Sequence, residues 1–550
     1  MEARMTNADS AARDTTALAP PALPPAGATE DGAAAANEDL AAPSLEEVAR
    51  CVATLEALTA NRVALAKLPE EARVALRTAA GRLMNPSRDE RTRLQKALRR
   101  ERREENRVHD REVKASTQIR TLRREAIFSA PTHMLPPGAR EAAAPRVLRE
   151  PRDCYVCKAE YRTLHFFYDS MCQECAEFNY AKRFQTAPLE GKVALITGAR
   201  VKIGYQASLM LLRAGASVIA TTRFPQDAAV RYTREPDFAQ WAHRLQVHGL
   251  DLRHAPSVEL FARHVEQTHA RLDILINNAA QTVRRPPGWY AHLLGGEQRD
   301  ASELPAAARP LLAGHAELVG TLRAPHRSLS GGPSAALATS WRSADAGVGI
   351  HSSAALSLLP YEVEQEGDLR ALYPEGRLDA DLQQVDLRET NSWRLRLAEV
   401  ATAEMLEVHL VNAVAPFILC GKLKPLMLRD RREPGHVVNV SAMEGSFSRG
   451  TKTDKHPHTN MAKAALNMMT LTSAPDYARD NIFMNAADTG WVTDEDPAQH
   501  AERKVRELDF QPPLDIVDGA ARVVDPVFGA VNSGNFVWGN FFKDYKPTSW

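Results

Sequence analysis

The sequence predicts an α/β protein: a doubly wound parallel sheet of about seven strands, preceded by a helical segment and a small metal-binding module. Three observations lead there. From about Leu189 apolar strands alternate with amphipathic helices, the order that builds a parallel sheet. The first strand runs into a glycine-containing turn at the start of a helix, an arrangement that receives a pyrophosphate. Ahead of it, four cysteines form two Cys-x2-Cys pairs separated by fourteen residues.

At 550 residues the chain exceeds one ordinary core, so two or more folded units with linkers are expected. A formal charge of zero argues against a globally basic nucleic-acid binder. The first 25 residues contain no apolar run, and Glu2, Asp9 and Asp14 stand where a signal or transit peptide avoids acids. No stretch is expected to reach the roughly 18 apolar residues of a membrane span. A reducing, cytoplasmic setting is therefore the expectation. Six cysteines in so long a chain are not a disulfide scaffold.

Residues 1–45, rich in Ala, Pro and small polar side chains, cannot bury enough surface to offset ordering and read as disordered. Residues 46–130 read as helical and basic. Ser44 and Glu47 have the spacing of a capping box, apolar residues recur every three and four positions, and a break is expected near "LMNPSRDE". Between residues 91 and 125 there are 13 Arg and Lys against 6 Asp and Glu. Such an excess suits an acidic partner or RNA, or simply a solvated helix laced with ion pairs, and the scarcity of aromatics removes a stacking platform for single strands. Nucleic acid is thus not an expected partner. A Pro-rich linker follows at 131–150.

Residues 151–185 hold Cys154, Cys157, Cys172 and Cys175. Two such knuckles complete a tetrahedral thiolate shell with no open position, so structural Zn2+ is expected, with His165 as an alternative ligand. Two disulfides would require an oxidising compartment. The metal would organise aromatic residues too few to form a core alone, and the module or the basic helix could serve as a protein-interaction surface.

The remainder, 186–550, opens with "GKVALITGARVKIGYQASLMLLRAGASVIATTR", a strand, turn, helix and strand. A third strand ends at Asp251, and a fourth ends in Asn277, Asn278, Ala279 and Ala280. A helix carries Asn412, a fifth strand reads "GHVVNVSAMEG", another helix carries Lys463, and a sixth strand leads to "DTGWVTDE". In this order the segment resembles the short-chain dehydrogenase/reductase family. The resemblance rests on the turn (Thr197, Gly198, Gly204), the strand end at Asn278 and Ala279, Asn412, Lys463, and the Gly-Trp-Val-Thr segment with Thr493.

The resemblance implies a Rossmann sheet, a nicotinamide cofactor and a catalytic Asn-Ser-Tyr-Lys set. It places the cofactor on Thr197, Gly198, Arg200, Lys202, Ile203 and Gly204 of the turn, and on Asn278, Ala279 and Lys463. It sets Asp251 at the adenine edge and Thr493 at the nicotinamide amide. The second strand ends in Thr222 and Arg223 with no acid, and Arg200 is a second cation, so NADP(H) is expected in preference to NAD(H).

Two positions depart from the family pattern: Ala442 replaces the serine, with Ser441 one residue off, and Thr459 replaces the tyrosine. Lys202 also stands at the second glycine of the turn. An aliphatic hydroxyl is a far weaker acid than a phenol, so Thr459 is a poor stand-in. His456, His458, Glu444 and Asp488 are alternative proton donors. Asn412 follows Ala280 by 132 positions, a long insertion whose part at about 284–390 reads as partly flexible and which leaves from the ligand-binding edge, where it could form a lid. Two functions are expected to compete: an NADP(H)-dependent oxidoreductase acting on a carbonyl or alcohol through an atypical site, and a nucleotide-binding adaptor or redox sensor. The family resemblance also suggests a homodimer formed through the helices bearing Asn412 and Lys463.

Overall fold

The computed structural model describes residues 43–131, 134, 146–323, 345–360, 369–429 and 433–550. The disorder expected before residue 43, most of the 131–150 linker and positions 328–344 of the Ser/Ala/Gly-rich stretch lie outside the described residues. The chain falls into two compact units, divided between Arg99 and Arg100.

In the first unit the Ser44 N–H donates to Glu47 Oε2 (2.8 Å) and the Glu47 N–H to Ser44 Oγ (3.3 Å). This reciprocal cap satisfies two otherwise orphaned donors and opens α1 (Leu45–Ala60). A 3-10 turn, Arg62–Lys67, leads to α2 (Glu70–Met84), and Pro86 biases Asn85 away from helix before α3 (Arg88–Ala115). Neither α1 nor α2 buries a residue.

The second unit begins within α3. Its Asp110 carboxylate accepts the N–H groups of Arg149 (2.7 Å) and Glu150 (3.1 Å), both in β1 (Val147–Asp153). The end of the expected linker is therefore a strand, because Asp110 and the antiparallel partner β2 (Glu160–Thr163) take up its backbone groups. The short helix α4 (Gln173–Lys182) completes the cysteine module.

The sheet domain then runs β3 (Val193–Thr197), α5 (Lys202–Arg213), β4 (Ser217–Thr222), α6 (Pro225–Tyr232), β5 (Leu245–Gly249), α7 (Ala255–Thr268) and β6 (Ile274–Asn277). The insertion contributes α8 (Pro287–Glu297), α9 (Ala313–Arg323) and irregular turns. The chain returns through α10 (Thr402–His409), a π-helical turn at Leu410–Val414, α11 (Ala415–Met427), β7 (Gly435–Ser441), α12 (Pro457–Arg479), β8 (Ile482–Asp488), α13 (Ala498–Leu508), α14 (Ile516–Ser533), β9 (Phe541–Lys543) and β10 (Lys546–Thr548). Strand order is β10-β9-β8-β7-β6-β3-β4-β5. All neighbours are parallel except β10 on β9.

Alternation along the strands makes two cores. Ala194 and Ile196 face α5 and α14, while Leu195 between them faces α7 and α11. A period of two sends successive side chains to opposite faces, so a strand covered on both faces reads as continuously apolar. The order reverses between β3 and β6, and there the carboxyl ends of the strands open a crevice.

Two expectations need correction. Asp345–Pro360, expected as part of a flexible loop, contains helical turns at Val348–His351 and Ala355–Leu358, with Ile350 buried. Ile350 joins the core beneath α7, which anchors the segment. Thr402–Met427 is also long and apolar enough to pass as a membrane span, with a window of mean hydropathy 1.4. Leu419, Leu423 and Leu426 of this stretch pack into the core shared with α7, so its apolar character serves the sheet domain.

Candidate functional site: a roofed nucleotide cleft with a divergent catalytic end

The crevice between β3 and β6 is a cavity of about 600 Å3. At its floor, Thr197 Oγ1 accepts the N–H groups of Asn278 (3.1 Å) and Ala279 (3.0 Å), and Asn278 Nδ2 returns bonds to the carbonyls of Thr197 (2.9 Å) and Gly198 (3.2 Å). The glycine turn is thereby locked to the fourth parallel strand. A Cβ on Gly204 would lie 2.2 Å from the Gly198 carbonyl oxygen, so no other residue fits. Lys202 adopts φ +55°, the left-handed conformation that explains why glycine suits this position. The turn delivers the unpaired N–H groups of α5 to the cleft, where the helix dipole favours an anion.

The two candidate cations are not equivalent. Buried Arg200 pairs with Asp227 (2.8 Å) and donates to Gln383 Oε1 (2.7 Å), so its charge is already answered. Arg223 donates to Tyr290 Oη (2.8 Å) and Ser357 Oγ (3.1 Å) and lies over the Tyr290 ring. Its hydrogen-bond partners among the described residues are thus neutral hydroxyls supplied by two parts of the insertion. Asp251 is fully buried, and Arg253 holds it through a 2.6 Å bond to Oδ2. Burial would raise the pKa of Asp251, but the Arg253 guanidinium more than offsets this and lowers it.

The insertion roofs the cleft. Gln383, Val385 and Asp386 line it opposite Thr493 and Glu495. Asp386 is held by Arg285 and by Arg388 (2.7 Å), and Asn391 Nδ2 donates to the Glu495 carbonyl (2.8 Å). Tyr290, Ser357, Gln383 and Asp386 escape sequence reasoning because no motif marks them. Among the expected residues, Gly198, Arg200, Lys202, Ile203, Gly204, Arg223, Asp251, Asn278, Ala279, Ser441, Lys463 and Thr493 line this one cavity. Thr493 Oγ1 donates to Glu495 Oε1 (2.8 Å). Thr197, Asn412 and Thr459 are not among the residues that line the cavity.

At the catalytic end Lys463 Nζ donates to the Val440 carbonyl (2.7 Å). Burial lowers its pKa to about 8, against the pull of Glu444 and Asp488. Asn412, in the π-helical turn, accepts the Gln281 N–H at Oδ1 (2.7 Å) and donates from Nδ2 to the Gln281 carbonyl (3.0 Å). Its amide therefore fastens the start of the insertion to the helix. Ser441 turns to Asn467 Oδ1, as the strand alternation requires, and leaves Ala442 facing the cleft.

Among the described residues Thr459 Oγ1 and both ring nitrogens of His458 are buried without a hydrogen-bond partner, His458 Nε2 standing 4.0 Å from the Glu404 carboxylate. Burial, with His456 and His409 nearby, lowers His458 to about 4, so it is neutral at neutral pH and has no acidic proton to give. His456 stacks on Trp393 (3.9 Å, 7°) and its pKa is lowered by burial. Asp488 behaves differently. Burial raises its carboxyl pKa, Lys543 (3.8 Å) opposes the rise, and Glu444 and Asp544 add to it.

In the cysteine module the four sulfurs lie within 4.8 Å of one another, all as free thiols. Burial disfavours a thiolate at Cys154, but N–H groups of Cys172, Cys157 and Val156 outweigh it and bring the thiol down to about 7. His165 instead turns Nε2 to Glu177 (3.2 Å), outside the sulfur cluster.

Residues 192–288 match the short chain dehydrogenase family, and residues 353–511 match a family described as enoyl-(acyl carrier protein) reductase. An uncharacterized protein of Acanthamoeba polyphaga mimivirus is 30% identical over 393 residues, 68% of this chain and 71% of that protein. Retinol dehydrogenase 13 of Mus musculus is 36% identical over 103 residues, 19% of this chain and 30% of the mouse protein. Solved structures similar to it include carbonyl reductase Sniffer of D. melanogaster (TM-score 0.38, 16% identity, 66% of this chain and 100% of that one). Another is a Pseudomonas aeruginosa RhlG/NADP complex (TM-score 0.38, 17% identity, 64% and 94%). With the seven parallel strands, the locked glycine turn and Lys463 in one cleft, the chain belongs to the short-chain dehydrogenase/reductase family of NAD(P)-dependent oxidoreductases.

Proposed function

We propose that the protein is an NADP(H)-dependent oxidoreductase acting on a carbonyl or alcohol through an atypical site that lacks the family's tyrosine. The observation that carries the cofactor preference is Arg223, a cation in the cleft whose partners are two hydroxyls. A 2′-phosphate would accept from the guanidinium in charge-assisted bonds, with Tyr290 and Ser357 holding the guanidinium in place. NADP(H), when bound, supplies or accepts a hydride. The Lys463 ammonium would hold the nicotinamide ribose hydroxyls and the N–H groups of α5 the pyrophosphate. Asp488, at the end of β8, is a candidate proton carrier whose carboxyl pKa is raised by burial, although it does not line the cleft.

Four converging free thiols support structural Zn2+ on Cys154, Cys157, Cys172 and Cys175, where a metal would cross-link the two knuckles. Free thiols fit a reducing compartment, and we propose the cytoplasm. Exposed Phe417 of α11 and Met461 and Met468 of α12 fit a face for a second copy of the chain. The cysteine module and basic helix remain candidate surfaces for a protein partner. An equilibrium titration with NADPH and with NADH tests the reading: tighter binding of NADPH, by tenfold or more, is expected. Absence of binding by either nucleotide would refute it and favour the adaptor reading, which Thr459 and the alanine at 442, in place of the family's tyrosine and serine, independently support.

A further inference from the structure

We propose that the four-cysteine module is a metal-dependent brace for one wall of the cofactor cleft, acting through Tyr155 on the segment Gly490–Thr493. The inference rests on the zinc and NADP(H) readings above and adds a coupling between the two sites.

Tyr155 lies between Cys154 and Cys157. Its N–H donates to the Ser170 carbonyl (2.8 Å), which fixes it to the strand of chain leading to Cys172. Its hydroxyl oxygen accepts the Trp491 N–H (3.0 Å). Gly490, at φ +73°, is wedged at this point: a Cβ there would stand 2.4 Å from Leu514 Cδ1 and 3.2 Å from the Tyr155 hydroxyl. The ring of Tyr155 thus sets where the chain turns out of β8 toward Val492 and Thr493, both of which line the cleft.

A second line of contact runs through the apolar core. Cys154, Tyr168 and Met171 of the module share one cluster with Val492, Leu514 and Ile516, and Ile203 of the glycine turn packs against it. Ile203 and Val492 meet at α14: a Cβ on Gly519 would lie 2.9 Å from Ile203 Cδ1 and 3.1 Å from Val492 Cγ2. The Tyr168 hydroxyl donates to Asp518, which also takes Arg183 of the module (2.9 Å). The module therefore holds α14, the glycine turn and the post-β8 segment together. Four thiolates on a metal would cross-link the two knuckles and so stiffen the loop that carries Tyr155.

The test uses the full chain. Metal content, NADPH affinity and amide exchange are measured for the zinc-loaded protein, for the chelator-stripped protein, and for zinc-loaded Tyr155→Phe, which keeps all four ligands. Stripping and Tyr155→Phe are each expected to weaken NADPH binding, the latter about threefold to tenfold for the loss of one hydrogen bond. Both should speed exchange at Trp491 while β3 stays protected, and stripping Tyr155→Phe should weaken it no further than stripping the native chain. Unchanged affinity in zinc-loaded Tyr155→Phe overturns the brace while leaving the zinc reading intact. A purified protein that takes up no zinc, or a zinc-loaded one that binds no NADPH, overturns the brace together with the reading it rests on, and the metal assay tells which.

Discussion

Raising the pH from 7 to 9 should weaken NADPH binding about tenfold, because Lys463 loses its proton in that interval. The side chain is buried on α12, and burial holds its pKa at about 8 against an ordinary 10.5. With a pKa of 8 the ammonium fraction falls from about nine-tenths at pH 7 to about one-tenth at pH 9, and a lysine near 10.4 would barely change. The anionic cofactor prefers the ammonium, so affinity follows that fraction. His458, at about 4, titrates outside the interval. The folded pKa lies below the unfolded one, so between about pH 8 and 10.5 the unfolded chain binds the proton that the folded chain has released. Stability therefore rises with pH across that window, by about 3 kcal/mol at most, and the cost of the buried charge is fully present below pH 8. The assay is fluorescence titration with NADPH at pH 7, 8 and 9, alongside Lys463→Met, which should bind weakly and without pH dependence. An affinity of the native chain that stays flat from pH 7 to 9 would refute the reasoning.

Arg223→Ala should lower NADPH affinity by about 10- to 100-fold, the worth of charge-assisted bonds to a phosphate, and leave NADH affinity unchanged; an equal loss for both nucleotides would assign Arg223 a structural role instead. Gly204→Ala places a methyl 2.2 Å from the Gly198 carbonyl and should abolish binding of both nucleotides in the same titration. Thr459→Ala removes a hydroxyl that has no hydrogen-bond partner among the described residues and does not line the cavity, so NADPH affinity should stay within about twofold, and a tenfold loss would show that Thr459 touches the cofactor.

What could be read in advance was local. Strands β3 to β8 announce themselves through apolar runs, the cysteine module through two knuckles, and the turn at Thr197–Gly204 through residues only a few positions apart. Lys463 and Asn412 are legible because they match the family's motifs in order along the chain. Asp345–Pro360 misled because its Ser, Ala and Gly look like a loop, although Ile350 finds a core beside α7. The stretch at Thr402–Met427 is long and apolar enough for a membrane span, against the expectation that no stretch would be, and hydropathy alone does not say which atoms will cover it.

The sequence by itself determined that a nucleotide-binding sheet and a four-cysteine cluster would form, since each needs only short-range patterns of backbone freedom and side-chain period. Only the tertiary structure decided what the charges do. Arg200 is cancelled by Asp227 and bound to Gln383, 183 positions away, whereas the hydrogen-bond partners of Arg223 among the described residues are the hydroxyls of Tyr290 and Ser357. Tyr155 reaches Trp491 across 336 positions. Pairing, burial and hence pKa depend on which distant groups share a small volume of low dielectric, and no local period in the chain encodes that distance.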